Sequence, residues 1–252
     1  MKDGHIHSPY CPHGSSDRFE QYIKKAIEVG VMVMTFTEHF PLPKNFKDPS
    51  TENDSAMSED HLLAYFNELK ELKEKYKHSI KINIGVEVDY IEGYEKEIKE
   101  MLDKYGEYID DSILSVHMIK INDEYHLIDY SPEKFGELVD LLGSIENVYY
   151  KYYDTVKMAV NSDLGRYKPR RIGHLNLVRK YNKIYPYDYS GNEKLEEIVR
   201  IVKSKDYELD FNVSGYRKPY CNEAYIDGYL LKLVRDYNVK TILGSDSHTH
   251  DT

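Results

Sequence analysis

The chain has 252 residues, with 34 Lys and Arg against 44 Asp and Glu for a formal net charge of −10, which argues against the basic stripe that a nucleic-acid binder needs. Apolar residues at 40% and 25 tyrosines exclude a disordered chain. The length suits a (β/α) barrel or one large α/β domain, either of which can bury a full core.

In chain order, a short strand is expected at 4–7. It is followed by an amphipathic helix over 17–29, where Phe19, Tyr22, Ile23, Ala26 and Ile27 fall at helical spacing and Gly30 supplies a stop. A β-branched run at 31–36 reads as the second strand. The stretch 41–58, with two close prolines and then polar residues, reads as a long functional loop. A helix over 59–76 (Leu62, Leu63, Phe66, Leu69, Leu72) precedes strand 80–86, helix 94–104 and strand 112–116. Alternation of apolar and polar residues over 118–131 predicts a small hairpin. Then come helix 132–160, strand 171–173, helix 192–204, strand 209–213, helix 223–237 and strand 239–243. Seven short apolar strands separated by helices give a parallel α/β architecture, read as one domain over 1–252.

The histidines fall where such a fold concentrates chemistry. His5 and His7 form a His-x-His pair, and residues i and i+2 of a strand point to one side. His39 closes the second strand, Glu87 the third, His117 the fourth and His174 the fifth, with Asp246 and His248 after the seventh. The C-terminal strand ends of a parallel barrel share one face, so these side chains are expected to converge. His13 lies in the first βα loop within Cys11-Pro12-His13-Gly14. His61, His78, His126 and His250 lie away from strand ends and are read as surface residues. Cys11 could ligate a metal as a thiolate, although a small, buried or partly exposed thiol is the plainer reading.

These residues resemble the polymerase-and-histidinol-phosphatase (PHP) family, and more closely its stand-alone histidinol-phosphatase branch. The motifs are His5-x-His7, Cys-Pro-His13-Gly, Thr37-Glu38-His39, Gly85-x-Glu87, Ser115-Val116-His117, Gly173-His174-Leu175 and Gly244-Ser245-Asp246-Ser247-His248, with Gly215-Tyr216-Arg217-Lys218-Pro219 adding phosphatase character. The resemblance implies a distorted seven-stranded (β/α)7 TIM-like barrel holding three divalent ions. In that scheme His5, His7, Glu87 and Asp246 bind the first ion. Glu87 bridges to a second, shared with His117 and His174, and His13, His39 and His248 hold the third. A mostly imidazole donor set suits Zn, Mn or Fe better than Mg. Glu87, Asp246 and His248 are then the residues nearest the reaction.

The resemblance further implies hydrolysis of L-histidinol phosphate to L-histidinol and phosphate in histidine biosynthesis, by direct attack of water with no phosphoenzyme. A nucleotide phosphatase or exonuclease with the same trinuclear site is the alternative, disfavoured for a polymer by the charge. Arg217 is the first candidate for the phosphate and Arg179 the second, since an arginine fork binds two phosphate oxygens. Arg166, Arg170 and Arg171 are expected at the opposite barrel end. Glu38 could meet the substrate's cationic amine or orient a ligand imidazole.

Two cysteines give no disulfide framework, and neither a signal core nor an apolar run of about 18 residues is present. A cytoplasmic protein with a small-molecule partner, and no nucleic-acid or membrane partner, is expected. The chain ends four residues after His248. The helix that would cover the last strand is therefore expected to be missing, leaving His248 near a frayed end.

Overall fold

The computed structural model describes residues 1–252. Seven strands form one parallel sheet: β1 (Lys2–Ile6), β2 (Val33–His39), β3 (Lys81–Asp89), β4 (Asp111–Ser115), β7 (Arg171–Ile172), β8 (Glu208–Asn212) and β9 (Lys240–Gly244), adjacent in that order. The two missing numbers are β5 (Met118–Ile121) and β6 (Glu124–Leu127), a separate antiparallel pair. The sheet curls until its edges meet. The Asp246 N–H donates to the His5 carbonyl at 2.7 Å and the His7 N–H to the Ser247 carbonyl at 2.9 Å, with a parallel bridge between Ile6 and Ser247. The result is a seven-stranded, nearly closed barrel.

Seven helices surround it: α1 (Phe19–Glu28), α2 (Glu59–Tyr76), α3 (Glu95–Tyr105), α4 (Pro132–Leu142), α5 (Ile145–Asn161), α6 (Glu193–Ser204) and α7 (Gly228–Asp236). Each turns an apolar stripe to the sheet: Leu62, Tyr65, Phe66, Leu69 and Leu72 of α2 are all buried, at three- and four-residue spacing. A single core of 57 buried residues joins helices and strands.

Two sequence expectations change. The helix expected over 132–160 is two helices, because Gly143 takes a left-handed φ of 81° and the Ser144 hydroxyl then accepts from the Asn147 N–H to cap α5. The helix expected over 223–237 begins only at Gly228, where the Asp227 side chain caps it; residues 223–226 pack as a turn whose Ala224, Tyr225 and Ile226 are buried. The hairpin of β5 and β6 turns on Asn122 and Asp123, both with positive φ (50° and 67°), the pair that a tight two-residue turn selects. Residues 41–58 carry no helix or strand. No helix is long and apolar enough to cross a membrane, and both cysteines are free and buried.

The strand ends fix the site. β2 stops at His39, while β3 runs two residues past Glu87, and His117 and His174 each lie two residues beyond β4 and β7. All open on the C-terminal face, above which lie the loop 41–58 and the β5–β6 hairpin.

Candidate metal centre

Glu87 lies at the middle of the C-terminal face and is 2% exposed. Its Oε1 accepts from the Ser115 hydroxyl at 2.5 Å and meets His174 Nε2 at 2.9 Å. Its Oε2 has no hydrogen-bond partner, yet lies 3.4 Å from His5 Nε2, 3.5 Å from His7 Nε2 and 3.3 Å from His39 Nδ1. His5 Nε2, His7 Nε2 and both nitrogens of His39 are likewise buried and unpartnered. Orphaned buried polar atoms are costly and rare; four of them, Glu87 Oε2 with His5 Nε2, His7 Nε2 and His39 Nδ1, converge and fit a cation cradle.

On His5, His117, His7 and His13 the other ring nitrogen is occupied, and that sets the direction of those rings. His5 Nδ1 pairs with Asp210 at 2.7 Å, His117 Nδ1 with Asp89 at 2.7 Å and His7 Nδ1 with Glu38 at 3.4 Å. His13 Nδ1 donates to the Asp54 carbonyl at 2.8 Å. A carboxylate or carbonyl on Nδ1 fixes the tautomer and leaves Nε2 as the donor toward a metal. Asp246 Oδ1 lies 3.2 Å from His7 Nε2 and 3.8 Å from His5 Nε2. Four groups of donors can each close on an ion: His5, His7 and Glu87; Glu87, His117 and His174; His39, Asp89 and His117; and His7, Cys11, His39 and His248.

Electrostatics follow from this packing. Burial opposes a proton on His5, but Asp210, Glu87 and Asp246 outweigh it and raise its pKa well above the ordinary imidazole value. For His117 burial is likewise overcome, chiefly by Asp89, and the pKa is pushed up to about 10. His39 and His248 go the other way, because burial and then the neighbouring His7 lower them, His248 to about 2. Burial would raise Glu87 and Asp246, yet His5 foremost holds both well below the carboxylate range.

The backbone is shaped for this crowding. Asp246 adopts φ 53°, a left-handed conformation uncommon outside glycine that is found where a site over-determines it. Two residues earlier, a Cβ on Gly244 would fall 2.2 Å from Asp210 Oδ1 and 2.6 Å from His5 Cβ, so no larger residue fits beside that pair.

All nine donors expected from sequence stand on this face. His13 is the outermost, exposed, its ring 5.0 Å from that of His39 and 5.2 Å from that of His248. The expected fraying at His248 is absent: its carbonyl accepts from the Ser15 N–H at 3.0 Å, and the His250 N–H donates to Asp17 at 2.9 Å. His250 is therefore tied to α1's leading loop and is not a free surface ring, while His126 is half-buried in the hairpin.

The three residues expected at the substrate stand elsewhere. Arg179 is turned away, its guanidinium paired with Glu223, reaching the Tyr187 carbonyl at 3.3 Å and lying over the Tyr189 ring. Arg217 donates to the Ser245 carbonyl at 2.6 Å and the Asp246 carbonyl at 3.4 Å, bracing the left-handed turn. Glu38 is buried behind His7, accepting from the Ser8 and His39 N–H groups at 2.8 and 3.0 Å; of its two readings, the geometry is that of an orienting partner. The cations that line the cavity are the next residues along, Lys180 and Lys218. Lys180 pairs with Asp129 at 2.8 Å, and burial, with Lys180 nearby, lowers the Lys218 pKa. Sequence reasoning missed Asp210 and Asp129 as well. A lone carboxylate inside the apolar run Leu209-Asp210-Phe211 was the available signal for the first.

The cavity above the donors has a volume of about 360 Å³ and is walled by His117, Asp129, Tyr130, Lys180, Lys218 and Tyr225 with Ser50, Asp54 and Ser55 of the loop 41–58. It has the size of a small-molecule site.

Residues 3–214 match the PHP domain family. The chain is 43% identical over 251 residues to the histidinol-phosphatase of Bacillus subtilis (strain 168), covering 98% of this chain and 93% of that protein. It is 29% identical over 261 residues to the histidinol-phosphatase of Lactococcus lactis subsp. lactis (strain IL1403), covering 98% and 83%. Among solved structures, a candidate histidinol phosphatase, HisK, of Listeria monocytogenes superposes with a TM-score of 0.96 at 35% identity, over 100% of this chain and 96% of that one. HisK of Lactococcus lactis, in complex with zinc, L-histidinol and phosphate, superposes with a TM-score of 0.69 at 26% identity, over 99% and 86%. A seven-stranded barrel, a buried histidine–carboxylate cradle on its C-terminal face and these full-length likenesses place the chain in the PHP family, in its histidinol-phosphatase branch.

Proposed function

We propose that the chain is a metal-dependent phosphomonoesterase that hydrolyses L-histidinol phosphate to L-histidinol and inorganic phosphate, the phosphatase reaction of histidine biosynthesis. The observation that carries this reading is the convergence of unpartnered donors from His5, His7 and His39 on Glu87 Oε2 at the floor of the cavity. The relatives above support the substrate: HisK of Lactococcus lactis is described with zinc, L-histidinol and phosphate bound.

Three divalent transition ions, Zn, Mn or Fe, are the proposed complement, held by His5, His7, His13, His39, Glu87, His117, His174, Asp246 and His248. Divalent ions bound there supply positive charge for the phosphoryl oxygens and lower the pKa of a water toward neutrality. The protein does the rest. Asp210, Asp89 and Glu38 hold His5, His117 and His7 in place, so the donor set is organised in advance. Lys180 and Lys218 stand at the cavity wall to receive the phosphate oxygens in place of the two arginines. Tyr225, whose buried hydroxyl lacks a partner, closes the floor beside His174. Asp54 is the one wall carboxylate without an ion-pair partner, since Asp129 is matched to Lys180 and Asp89 to His117. It is placed to take the cationic end of the substrate and gives the loop 41–58 its role in specificity.

The metal-loaded protein should be assayed side by side on L-histidinol phosphate, a nucleoside monophosphate and single-stranded DNA, with phosphate and nucleotide release read directly. Turnover confined to L-histidinol phosphate is expected. Turnover of the nucleotide or the DNA without it would overturn the substrate assignment and leave the nuclease or nucleotidase reading in its place.

A further inference from the structure

Cys11 belongs to the tight turn after β1. Its N–H donates to the Ser8 carbonyl at 3.0 Å, and its own carbonyl accepts from the Gly14 N–H at 3.2 Å. The turn buries the side chain to 6% exposure and sets the sulphur among imidazoles. One donor atom each from Cys11, His7, His39 and His248 all lie within 4.8 Å of one another. The rings around it are closely packed, His7 stacked on His248 at 4.0 Å and tilted against His39 at 4.2 Å between centroids. His39 is 6% exposed and has no partner on either nitrogen. A cation between ring and sulphur gives both a partner.

His13, the third donor expected at this end from sequence, is exposed and reaches in from the rim, with Nδ1 committed to the Asp54 carbonyl. Donor chemistry separates the two ends of the cluster. Glu87 Oε2 lies 3.3 Å from His39 Nδ1 and Asp246 Oδ1 3.6 Å from His248 Nδ1, whereas the side of the two rings nearest the turn meets the sulphur of Cys11. A thiolate adds a further negative charge to that end.

We propose that the Cys11 thiolate is a ligand of the ion held by His39 and His248, which makes that end of the cluster a mixed thiolate–imidazole site. The inference rests on the reading that the cluster holds divalent ions. On loading, the S–H proton leaves to solvent as the sulphur–metal bond forms. A soft sulphur donor selects zinc or iron(II) over manganese or magnesium, so this position should be the most metal-selective of the cluster. Cys221 is an internal control: it is buried, its Sγ lies 3.6 Å from the Glu223 carbonyl, and it joins no donor group.

Cobalt(II) reports the bond without any assay of activity. The metal-free, fully reduced protein should be titrated with Co²⁺ as wild type, Cys11→Ser and Cys221→Ser, reading the visible d–d bands for occupancy and the near-ultraviolet sulphur-to-cobalt charge-transfer band for ligation. The charge-transfer band is expected in wild type and Cys221→Ser and lost in Cys11→Ser, which retains visible bands. Should Cys11→Ser fail to fold, alkylation of the wild type decides: Zn²⁺ should protect Cys11 from iodoacetamide and leave the labelling of Cys221 unchanged. Visible bands without charge transfer, or equal labelling of Cys11 with and without Zn²⁺ in protein shown to hold the metal, overturn the ligand assignment alone. Absence of every cobalt band overturns the metal reading and this assignment together.

Discussion

At the scale of single residues, the division of labour is between atoms that face the cavity and atoms that aim them. Lys218 faces it without a carboxylate partner. A phosphate would replace that missing partner, and a charge-assisted hydrogen bond is worth about 1.5–3 kcal/mol. Lys218→Ala should therefore lower kcat/KM on L-histidinol phosphate by about 10- to 100-fold, measured by phosphate release. Arg179→Ala should do something different. It removes the pair with Glu223 and the stacking on Tyr189, both partly buried, and should lower unfolding stability by about 2–3 kcal/mol in a denaturant titration, with kcat/KM changed only a few-fold. The converging histidines were legible because His-x-His and strand-terminal histidines have few other uses in that pattern. The cations that line the cavity lie one position on from those expected, Lys180 beside Arg179 and Lys218 beside Arg217. Spacing from a ligand brings a loop to the site, but the local backbone turn decides which neighbour points in. The signal at Asp210 was ambiguous for a related reason: a carboxylate in a strand looks like solvent-facing alternation until the strand is known to line a barrel.

At the scale of elements, strand register carries the site. β8 and β9 pair Asn212 with Gly244, which brings the Asp210 carboxylate and the His5 side chain against a residue with no side chain. Gly244→Ala should force the two apart. Overpacking costs about 1–3 kcal/mol, so the variant should fold with a lowered Tm, and it should lose bound metal out of proportion to that loss, because His5 can no longer hold both Asp210 and its Nε2 direction. Metal analysis beside thermal unfolding separates the two effects. Alternating apolar strands and amphipathic helices were readable element by element, and the Asn122-Asp123 turn was contained in the hairpin pattern. The break within 132–160 was not, since helical spacing of apolar residues continues across Gly143, and only the capping chemistry of Gly143-Ser144 marks the junction.

At the scale of the molecule, the barrel brings first and last strands together so that donors from residue 5 to residue 248 share one face. That concentration has a protonic consequence. Without metal, carboxylates hold protons on His5 and His117, whose pKa values stand well above normal and at about 10. A group raised in the folded state contributes stability in full below its unfolded value, 6.5 for imidazole, and that contribution is lost as pH rises through about 10. Two outcomes follow for the metal-free protein: its stability should decline between pH 7 and pH 10, and loading Zn²⁺ at pH 7.5 should release protons, about one for each such imidazole displaced. Calorimetry in buffers of different ionisation enthalpy counts them. Proton uptake, or no exchange, would contradict the assigned ligands. The closed barrel and its shared face were legible as a whole from the recurrence of ligand-type residues at successive strand ends. The pinning of the C-terminal turn by Ser15 and Asp17 was not, because it joins residues 233 positions apart through contacts that carry no periodic signal.

The most direct measurement is phosphate release from L-histidinol phosphate by one preparation carried through three states: as purified, after complete chelation, and after return of Zn²⁺, Mn²⁺ or Fe²⁺, with Glu87→Gln in parallel. Activity that vanishes on chelation, returns with metal in the wild type and stays absent in Glu87→Gln is the predicted result. Hydrolysis that survives verified removal of every transition ion, or that Glu87→Gln sustains at the wild-type rate, would contradict the account.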